Sequence, residues 1–537
     1  MTATADAPIP TEQRPVATSP KTSGQALWPA ALAGAVASVV ALGFSEFLAG
    51  LIQPIPSLLL AIGTGVIDLG AGSRLKEIAI ALFGTNEKSA LVIGTVILAV
   101  GFGAALGLAV RRASLVVAAV GFVLFGAVGV LATVVSPLDS TLWATVSAAL
   151  SVALGIAALR YLMGLDDRVR AVLSRGTNAA RGRRGRRDFI RVALGMAAIG
   201  GVLGALGRSL SARSQTSALI ASVVLPEAEP AASVPPGTSF ESIDGLSPLF
   251  TPNQDFYRID TALMAPVVDV QTWSLRIHGM VDQEVELTYD DLLAMDQFEA
   301  DVTIACVSNE VGGDLIGNAR WQGVRLSEVL DAAGVQSGAG QIVGRSVDGW
   351  TGGFPTEFAF DGRDAMIAVA MNGEPLPVDH GFPARLIIPG VYGYVSATKW
   401  LQDIELTTWE AFDGYWIPRG WSKEGPIKTQ SRIDVPRRGQ SLSAGGNVVA
   451  GVAWAQHRGV AGVEVSIDDG PWQQAELAKE LNIDTWRQWR FEWDATPGDH
   501  RIRVRATDAD GMTQSETPVP VAPNGAEGYH TRVVRIG

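Results

Sequence analysis

Apolar segments long enough to cross a lipid bilayer are concentrated before Leu210 and do not recur after it. A spanning helix needs about 20 predominantly apolar residues, and such segments occur at residues 27–51, 91–110, 113–135, 142–163 and 189–206. After Leu210 charged residues are spread regularly, as in soluble proteins. The chain has 537 residues, whereas a single core stops growing at roughly 250 to 300 residues. The sequence therefore predicts an all-α transmembrane bundle followed by separate soluble domains.

Residues 55–83 are also apolar, but prolines, glycines and a cluster of charged residues interrupt them. A broken span, a re-entrant loop and a surface segment all fit this pattern, and the sequence does not choose among them.

Arginine clusters predict the orientation of the helices, because Lys and Arg beside a span are retained on the cytoplasmic side. Arg111 and Arg112 mark one cytoplasmic turn, and a densely basic stretch that begins at Arg168 marks another. The last span then carries the chain outward. We therefore expect a multi-pass protein of the bacterial cell membrane whose residues after Ser209 lie outside the cytoplasm.

The string RRDFIRV, residues 186–192, stands directly before the last span. Paired arginines, a polar residue, Phe and a moderately apolar run resemble a twin-arginine translocation signal, which exports folded proteins. The same arginines also satisfy the positive-inside rule alone. Both interpretations stay open on the motif itself.

The soluble part contains two kinds of pattern. Residues 255–402 mix short β-branched runs such as QIVGRSV with helical patterns such as LSEVLDAAG, which indicates an α+β domain. From Ser441 onward, apolar and polar residues alternate between turn sequences such as TPGDH, which predicts an immunoglobulin-like β-sandwich. The net charge of −12 and the acidic soluble part argue against nucleic acid as a partner.

Cys306 is the single cysteine of the chain. One cysteine excludes an internal disulfide and excludes zinc sites built from several thiolates. Taken alone, it is either a buried apolar side chain or a reactive ligand.

Two long strings show what kind of domain surrounds this cysteine. They are MNGEPLPVDHGFPARLIIPGVYGYVSATKWL, residues 371–401, and TIACVSNEVGGDLIGNARWQGVRLSEVL, residues 303–330. Over roughly residues 251–537 the chain resembles the sulfite oxidase family of molybdopterin-dependent oxidoreductases. The resemblance implies oxygen-atom transfer at a molybdenum that Cys306 ligates, a molybdopterin cofactor, and a terminal sandwich that serves as a dimerisation domain. A thiolate suits this metal because molybdenum needs a soft, anionic donor.

The resemblance also implies the remaining site residues. Catalytic roles fall to Cys306, Arg258 and Arg458. Cofactor-binding roles fall to the FYRID loop and to residues of the second half of the domain, namely Phe256, Tyr257, Arg258, Asp260, Asp348, His380, Arg385, Thr398 and Lys399. In this interpretation Arg385 offers a planar fork and Lys399 a point charge to the pyrophosphate tail, while His380 donates to a phosphate or pterin oxygen. The alternative is a structural turn held by a buried ion pair for Asp379, His380 and Arg385, and a solvated strand end for Lys399.

Departures from the family pattern concern the substrate. Family members that oxidise sulfite carry an arginine five residues after the cysteine, where this chain has Val311 beside Glu310. A carboxylate repels a dianion, and Asp260 replaces a usual histidine. Sulfite is therefore one option. An S-oxide or N-oxide reductase, similar to methionine sulfoxide reductases, and a non-catalytic membrane protein with a relic cofactor domain are the others.

We expect no haem, because one cysteine excludes a CxxCH site and all five histidines lie at His278 or later, after the spans. The expected partners are the lipid bilayer, a small-molecule substrate, an electron-transfer protein or quinone, and a second copy of the chain.

These expectations divide the chain into seven segments. They are a disordered tail (1–26), transmembrane helices (27–165), a basic cytoplasmic loop (166–188), a last transmembrane segment (189–208), a linker (209–239), a molybdopterin-binding catalytic domain (240–418) and an immunoglobulin-like dimerisation-type domain (419–537).

Overall fold

The computed structural model describes residues 27–52, 55–70, 87–134, 140–174, 179–213, 220, 222–240 and 242–537. The predicted disordered tail, residues 1–26, lies outside the described residues. The chain forms two compact units. The first comprises Met1–Gly43, Ile97–Phe125 and Leu150–Val202, and the second comprises Phe44–Val96, Gly126–Ala149 and Leu203–Gly537.

Helices account for the described residues up to Arg213. They are α1 (Trp28–Leu51), α2 (Leu58–Gly70), α3 (Glu87–Arg112), α4 (Leu115–Val134), α5 (Thr141–Ser174) and α6 (Ala179–Arg213). Five of them contain stretches long and apolar enough to cross a membrane: Trp28–Leu51, Ala90–Arg112, Leu115–Val134, Thr141–Arg168 and Arg184–Leu210. These lengths and compositions suggest membrane association.

Two parts of the helical region differ from the sequence-based expectation. In the undecided segment 55–83, α2 has 13 residues, which is too short for a straight span, and residues 71–83 lie outside the described residues. The segment 166–188, expected as a loop, is helical up to Ser174 and again from Ala179. Arginine, alanine and leucine are good helix formers, and the described part of this segment contains no proline.

Helix packing in the first unit depends on glycine. A Cβ built on Gly34 of α1 would lie 2.0 Å from the carbonyl oxygen of Gly103 on α3, and one on Gly43 would lie 1.9 Å from that of Gly200 on α6. Only glycine allows backbones to approach this closely. Arg111 adds an ion pair to Asp166 and one to Asp167, the latter at 2.6 Å.

Two sheets form between residues 274 and 407 of the second unit. The first has strand order β2-β1-β10-β5-β6 and the second β3-β4-β7-β8, with β9 paired to β7. Their strands are β1 (Ser274–Gly279), β2 (Val285–Thr288), β3 (Gln297–Ala305), β4 (Ile316–Arg325), β5 (Gln341–Ser346), β6 (Thr351–Pro355), β7 (Met366–Met371), β8 (Glu374–Pro375), β9 (Arg385–Ile387) and β10 (Leu401–Thr407). The helices between them are α7 (Tyr289–Ala294), α8 (Leu326–Ala333) and α9 (Gly393–Ser396). This part of the chain is thus β-rich, with short helices between its strands.

The remaining strands form two further sheets, ordered β11-β13-β17-β16 and β12-β19-β18-β14-β15. Their bounds are β11 (Gln430–Val435), β12 (Ser441–Leu442), β13 (Gly445–Trp454), β14 (Val460–Ile467), β15 (Gln473–Gln474), β16 (Glu476–Leu477), β17 (Arg487–Ala495), β18 (Gly498–Asp508) and β19 (His530–Ile536). Apolar residues of both sheets, among them Val449 and Val504, share one core. Alternating burial along β18 reflects the alternation in the sequence.

The segment expected as a linker, 209–239, is partly tied to this fold. Glu229 forms a bridge with Phe298 at the start of β3, since its N–H donates to the carbonyl oxygen of Gln297 at 2.8 Å. This part of the segment therefore pairs with the start of β3.

Candidate active site

Cys306 directly follows β3, at the start of the loop that leads into β4. The side chain is buried, with 7% exposed. Its backbone N–H donates to the carbonyl oxygen of Leu315 at 2.9 Å, which closes the loop, and the N–H of Ser308 donates to its sulfur at 3.4 Å. An N–H directed at the sulfur stabilises a thiolate.

The FYRID loop forms one wall beside this cysteine. Phe256 stacks on Tyr257 with ring centroids 5.3 Å apart and meets Trp321 edge-on at 5.9 Å. Gly317 on β4 makes room for the loop, because a Cβ there would lie 2.6 Å from the Phe256 ring. Burial raises the pKa of Tyr257, and the charge of a Cys306 thiolate raises it further. The phenol therefore stays protonated beside Cys306.

Arg385 is a buried cation without a carboxylate partner in the part of the chain that the structure describes. It is 4% exposed, donates from Nη1 to the carbonyl oxygen of His380 at 3.0 Å, and lies 4.9 Å from the Trp321 ring centroid. Burial lowers the pKa of Arg385 to about 10, so it remains charged at neutral pH. An uncompensated buried charge costs several kcal/mol, which favours an anionic ligand here.

Two buried polar atoms in this region lack hydrogen-bond partners among the described residues. One is Nε of Arg385 itself, and the other is Oγ1 of Thr398. Gly344 brings β5 against that hydroxyl, because a Cβ there would lie 2.5 Å from it. Buried donors are normally satisfied, so the residues present fit a polar, anionic group.

Asp260 links the FYRID loop to three cations. Its carboxylate accepts from Arg258 Nε at 2.9 Å, Lys399 Nζ at 2.6 Å and Lys88 Nζ at 2.7 Å. Burial alone would raise the pKa of the Asp260 carboxyl, but these neighbours hold it well below its usual range. Burial has the opposite effect on Lys399 and lowers its pKa to about 8, although the charge of Asp260 opposes this shift. Lys399 is therefore not the solvated strand end of the alternative interpretation.

Arg258 is paired on both sides of its guanidinium. Besides Asp260, it contacts Asp379, whose Oδ1 lies 2.7 Å from Arg258 Nη1. The positive charge of Arg258 is thus largely neutralised within the protein.

His380 was expected to donate to the cofactor, and the structure gives its ring a different polarity. Its Nε2 lies 3.0 Å from the carbonyl oxygen of Asn253, so Nε2 carries the hydrogen. Burial lowers the pKa of His380 to about 4, with Arg385 adding to the effect. At neutral pH the ring is uncharged and Nδ1 is an acceptor.

Asp348 and Arg458 are held by contacts other than those of the cofactor loop. Asp348 accepts from the N–H of Trp350 at 3.1 Å, as in a tight turn. Arg458 pairs with Asp508 at 3.1 Å and donates to the carbonyl oxygen of Ile427 at 2.9 Å. It lines a cavity of about 510 Å³.

Tyr392 interacts electrostatically with both Cys306 and the cavity residue Arg458, and it was not singled out from the sequence. It is 4% exposed, and its hydroxyl accepts from the N–H of Lys428 at 3.4 Å. Burial raises the pKa of Tyr392 to about 12; the charge of Cys306 adds to this rise, whereas the hydrogen bond from Lys428 and the charge of Arg458 oppose it. The tyrosine lies within the string 371–401, which was the available indication.

The loop after Cys306 has no arginine and is braced by the terminal sheets. Val311 is half-buried and Glu310 exposed. Arg432 donates to the carbonyl oxygen of Gly313 at 2.8 Å, and the His530 ring lies so close to Gly312 that a Cβ there would be 2.4 Å from Cδ2. Among the described residues, no cluster of three or more His, Cys, Asp or Glu side chains could hold a metal ion.

Comparisons with known proteins agree with this geometry. The family described as oxidoreductase molybdopterin binding domain matches residues 262–416. Mitochondrial sulfite oxidase of Homo sapiens is 29% identical over 320 residues, covering 50% of this chain and 58% of that protein. The uncharacterised oxidoreductase YuiH of Bacillus subtilis (strain 168) is 36% identical over 157 residues, covering 29% of this chain and 76% of that protein.

Among solved structures, the sulfane dehydrogenase SoxCD from Paracoccus pantotrophus matches this chain with 22% sequence identity and a TM-score of 0.46. The match covers 57% of this chain and 88% of the SoxCD chain. The chain spans about 58% of the length of the mammalian sulfite oxidases it matches.

Proposed function

The chain is an oxidoreductase of the sulfite oxidase family of molybdopterin-dependent enzymes, and from that premise we propose that it is membrane-anchored and transfers an oxygen atom to or from a small substrate at a molybdenum held by Cys306. When bound, the molybdenum cofactor supplies the two-electron redox chemistry of such a transfer.

The observation that carries the proposal is the buried charge of Arg385. A guanidinium that is 4% exposed and lacks a carboxylate among the described residues is stabilised by an anionic ligand. The pterin's phosphate-bearing tail is such a ligand, and bidentate donation suits it. Cys306 lies within electrostatic reach of Tyr257, which in turn interacts with Arg385. Thiolate and cation thus belong to one site.

The other residues take roles that follow from their chemistry. Lys399 and Thr398 supply further donors to the tail, and Asp260 fixes Lys399 at 2.6 Å. Neutral His380 accepts from a pterin N–H through Nδ1. Phe256 and Tyr257 pack beside the Cys306 thiolate and shield it from water. Asp348 holds the turn that precedes β6.

The substrate approaches, in this proposal, through the cavity that Arg458 lines. Lys428 lines the same cavity, and Tyr392, whose hydroxyl accepts from the N–H of Lys428, interacts electrostatically with both Arg458 and Cys306. These groups orient a polar substrate and keep a protonated phenol near the reacting atoms, because the pKa of Tyr392 is raised to about 12.

Reduction of an S-oxide or N-oxide is the second candidate, and one observation favours it over sulfite oxidation. Arg258, the arginine expected to bind the anion, is already paired with Asp260 and Asp379. With Val311 in place of a further arginine, little positive charge remains for a dianion. A neutral oxide needs none.

Membrane anchoring is supported by the apolar surface of the helices. Leu98, Val116 and Leu142 are at least 70% exposed, at 75%, 70% and 71%, and exposed apolar patches of this kind mark contact with lipid or protein. We further propose export by the twin-arginine route, a catalytic domain outside the cytoplasm, and electron exchange with a redox partner or quinone. The core that the terminal sheets share supports an immunoglobulin-like domain. By the family resemblance, we propose that this domain joins two copies of the chain.

The test begins with molybdenum and pterin analysis of the detergent-purified chain. Protein that contains both is then assayed with sulfite, S-oxides and N-oxides in the presence of artificial electron carriers. We expect near-equimolar molybdenum and turnover of at least one substrate class. A chain that binds neither metal nor pterin would instead be the relic cofactor domain of a non-catalytic membrane protein.

A further inference from the structure

Two contacts join the helical region to the loop that carries the cofactor-binding residues. Lys88, in the first turn of α3, donates from Nζ to Asp260 Oδ1 at 2.7 Å and to the carbonyl oxygen of Ala262 at 2.7 Å. On α2, Gly63 leaves room for Leu263, because a Cβ there would lie 2.5 Å from Leu263 Cδ1. All these residues belong to the second compact unit. The helices therefore do more than fasten the chain to a bilayer.

The contact at Asp260 is electrostatically selective. One carboxylate oxygen, Oδ2, accepts from Arg258 and Lys399, and the other, Oδ1, accepts from Lys88. The Asp260 side chain is 5% exposed and that of Lys88 30%. Without Lys88, Oδ1 would lose a charged partner in a largely desolvated position, where such partners matter most.

Lys88 also changes the charge that the site presents to an anion. Two carboxylates, Asp260 and Asp379, pair with three cations, Lys88, Arg258 and Lys399. A fourth cation, Arg385, interacts electrostatically with Lys399. The net charge of this group is thus +2, and it would fall to +1 without Lys88. A buried phosphate-bearing group is sensitive to such a change because screening by solvent is weak there.

We propose that Lys88 is a positioning residue of the cofactor site, through which α3 neutralises Asp260 and thereby leaves more of the charge of Lys399 available to the anionic tail. Cofactor retention then depends on a residue of the helical region. This role rests on the proposed function, because the anion in question is the tail of the molybdenum cofactor.

The test compares Lys88→Met, Lys88→Arg and a control, Lys479→Met, in the full-length chain in detergent. Lys479 is an exposed lysine near the terminal strands, so its substitution removes the same charge elsewhere. The readouts are pterin and molybdenum per chain, and the rate at which pterin is lost during dialysis. We expect Lys88→Met to lose pterin roughly three- to tenfold faster, as for a partly exposed charge pair that is removed. Lys88→Arg and Lys479→Met should behave like the wild type.

A double-mutant cycle with Asp260→Asn separates positioning from a general effect on folding. Once Asp260 is uncharged, Lys88→Met should have little further effect on pterin loss. Equal loss rates for Lys88→Met and wild type, or an undiminished effect in the Asp260→Asn background, would overturn the proposal. If Lys88→Met does not insert, Lys88→Gln replaces it with the same expectation.

The wild type is measured first, which keeps the two claims distinguishable. A wild-type chain without pterin contradicts the proposed function and this role together. A pterin-loaded wild type with an indifferent Lys88→Met contradicts only the role of Lys88.

Discussion

Arg385 and Arg258 are both arginines of the site, yet their charges are used in opposite ways. Arg385 is buried with a backbone carbonyl as its polar partner, so most of its positive charge is available to an incoming anion. Arg258 is held between Asp260 and Asp379, so a substrate gains little from it. This difference makes the site suited to an anionic cofactor and poorly suited to a dianionic substrate.

The first prediction concerns Val311, which stands five residues after Cys306. At this position the family members that oxidise sulfite carry an arginine. Val311→Arg should lower the KM for sulfite roughly 10- to 100-fold, since a charge-assisted hydrogen bond contributes about 1.5 to 3 kcal/mol. Steady-state kinetics with an artificial electron acceptor measures this. Val311→Met, which is long but uncharged, serves as the control.

An equal KM for the Arg and Met variants would contradict this account of the pocket. So would micromolar affinity of the unaltered enzyme for sulfite.

A second prediction concerns Lys399 and pH. Because burial lowers the pKa of Lys399 to about 8, its ammonium is charged below that pH and loses its proton above it. Retention of an anionic cofactor should therefore weaken as pH rises through 8, by at most about tenfold per pH unit. Pterin content after dialysis between about pH 7 and about pH 9.5 measures the effect. Lys399→Arg keeps its charge over this range, and an identical decline in that variant would exclude Lys399 as the cause.

For single residues, the sequence predicted candidates for the cofactor site but not their electrostatic relations. The resemblance led to Arg385 and Lys399 because a long string carries them, and to Phe256 through the FYRID loop. It did not indicate Lys88, whose contact with Asp260 joins positions 172 residues apart. Nor could it show that His380 donates to Asn253, because the polarity of an imidazole depends on which acceptor the fold places beside it.

Among the elements, short β-branched runs and amphipathic patterns predicted secondary structure well. QIVGRSV corresponds to β5 and LSEVLDAAG to α8, within one or two residues. A capping box, in which the Thr288 hydroxyl accepts from the N–H of Asp291, fixes the start of α7. Helix ends within residues 166–188 were less clear, because charged residues on a helix and in a loop look alike.

A third prediction concerns the close approach of α1 and α6. Gly200 faces α1, since a Cβ there would lie 2.8 Å from the carbonyl oxygen of Val39, whereas the adjacent Gly201 has nothing within 4 Å. Gly200→Ala should lower stability by about 1 to 3 kcal/mol through overpacking. Gly201→Ala should be neutral or stabilising by up to about 1 kcal/mol, because alanine favours a helix. Thermal unfolding in detergent compares them, and equal midpoints would contradict the predicted packing of these helices.

For the molecule as a whole, the distribution of charge and apolar length makes a prediction about its assembly. The helices before residue 165 that are long and apolar enough to cross a membrane suit the general insertion pathway. In the proposed topology, a folded, cofactor-loaded domain after residue 240 needs a pathway that exports folded protein. Arg186 and Arg187, both exposed on α6, precede the last span as a twin-arginine signal would.

The fourth prediction is that converting Arg186 and Arg187 together to Lys leaves the residues after Ser209 in the cytoplasm. Lysine preserves the positive charge that sets topology, so the change isolates recognition of the arginine pair. Protease digestion of intact spheroplasts measures the exposure of this region. If the double-Lys chain is digested from outside as readily as the wild type, then the arginines only set topology.

The most direct test of the central claim is X-ray absorption at the molybdenum edge of the wild type and of Cys306→Ser, both loaded with pterin. A thiolate is a soft, anionic ligand, and serine offers a harder and far less acidic oxygen. We predict that the variant shows one sulfur ligand fewer than the wild type and that its turnover collapses while its pterin content is retained. An unchanged number of sulfur ligands, with wild-type turnover, would contradict Cys306 as the ligand of the metal.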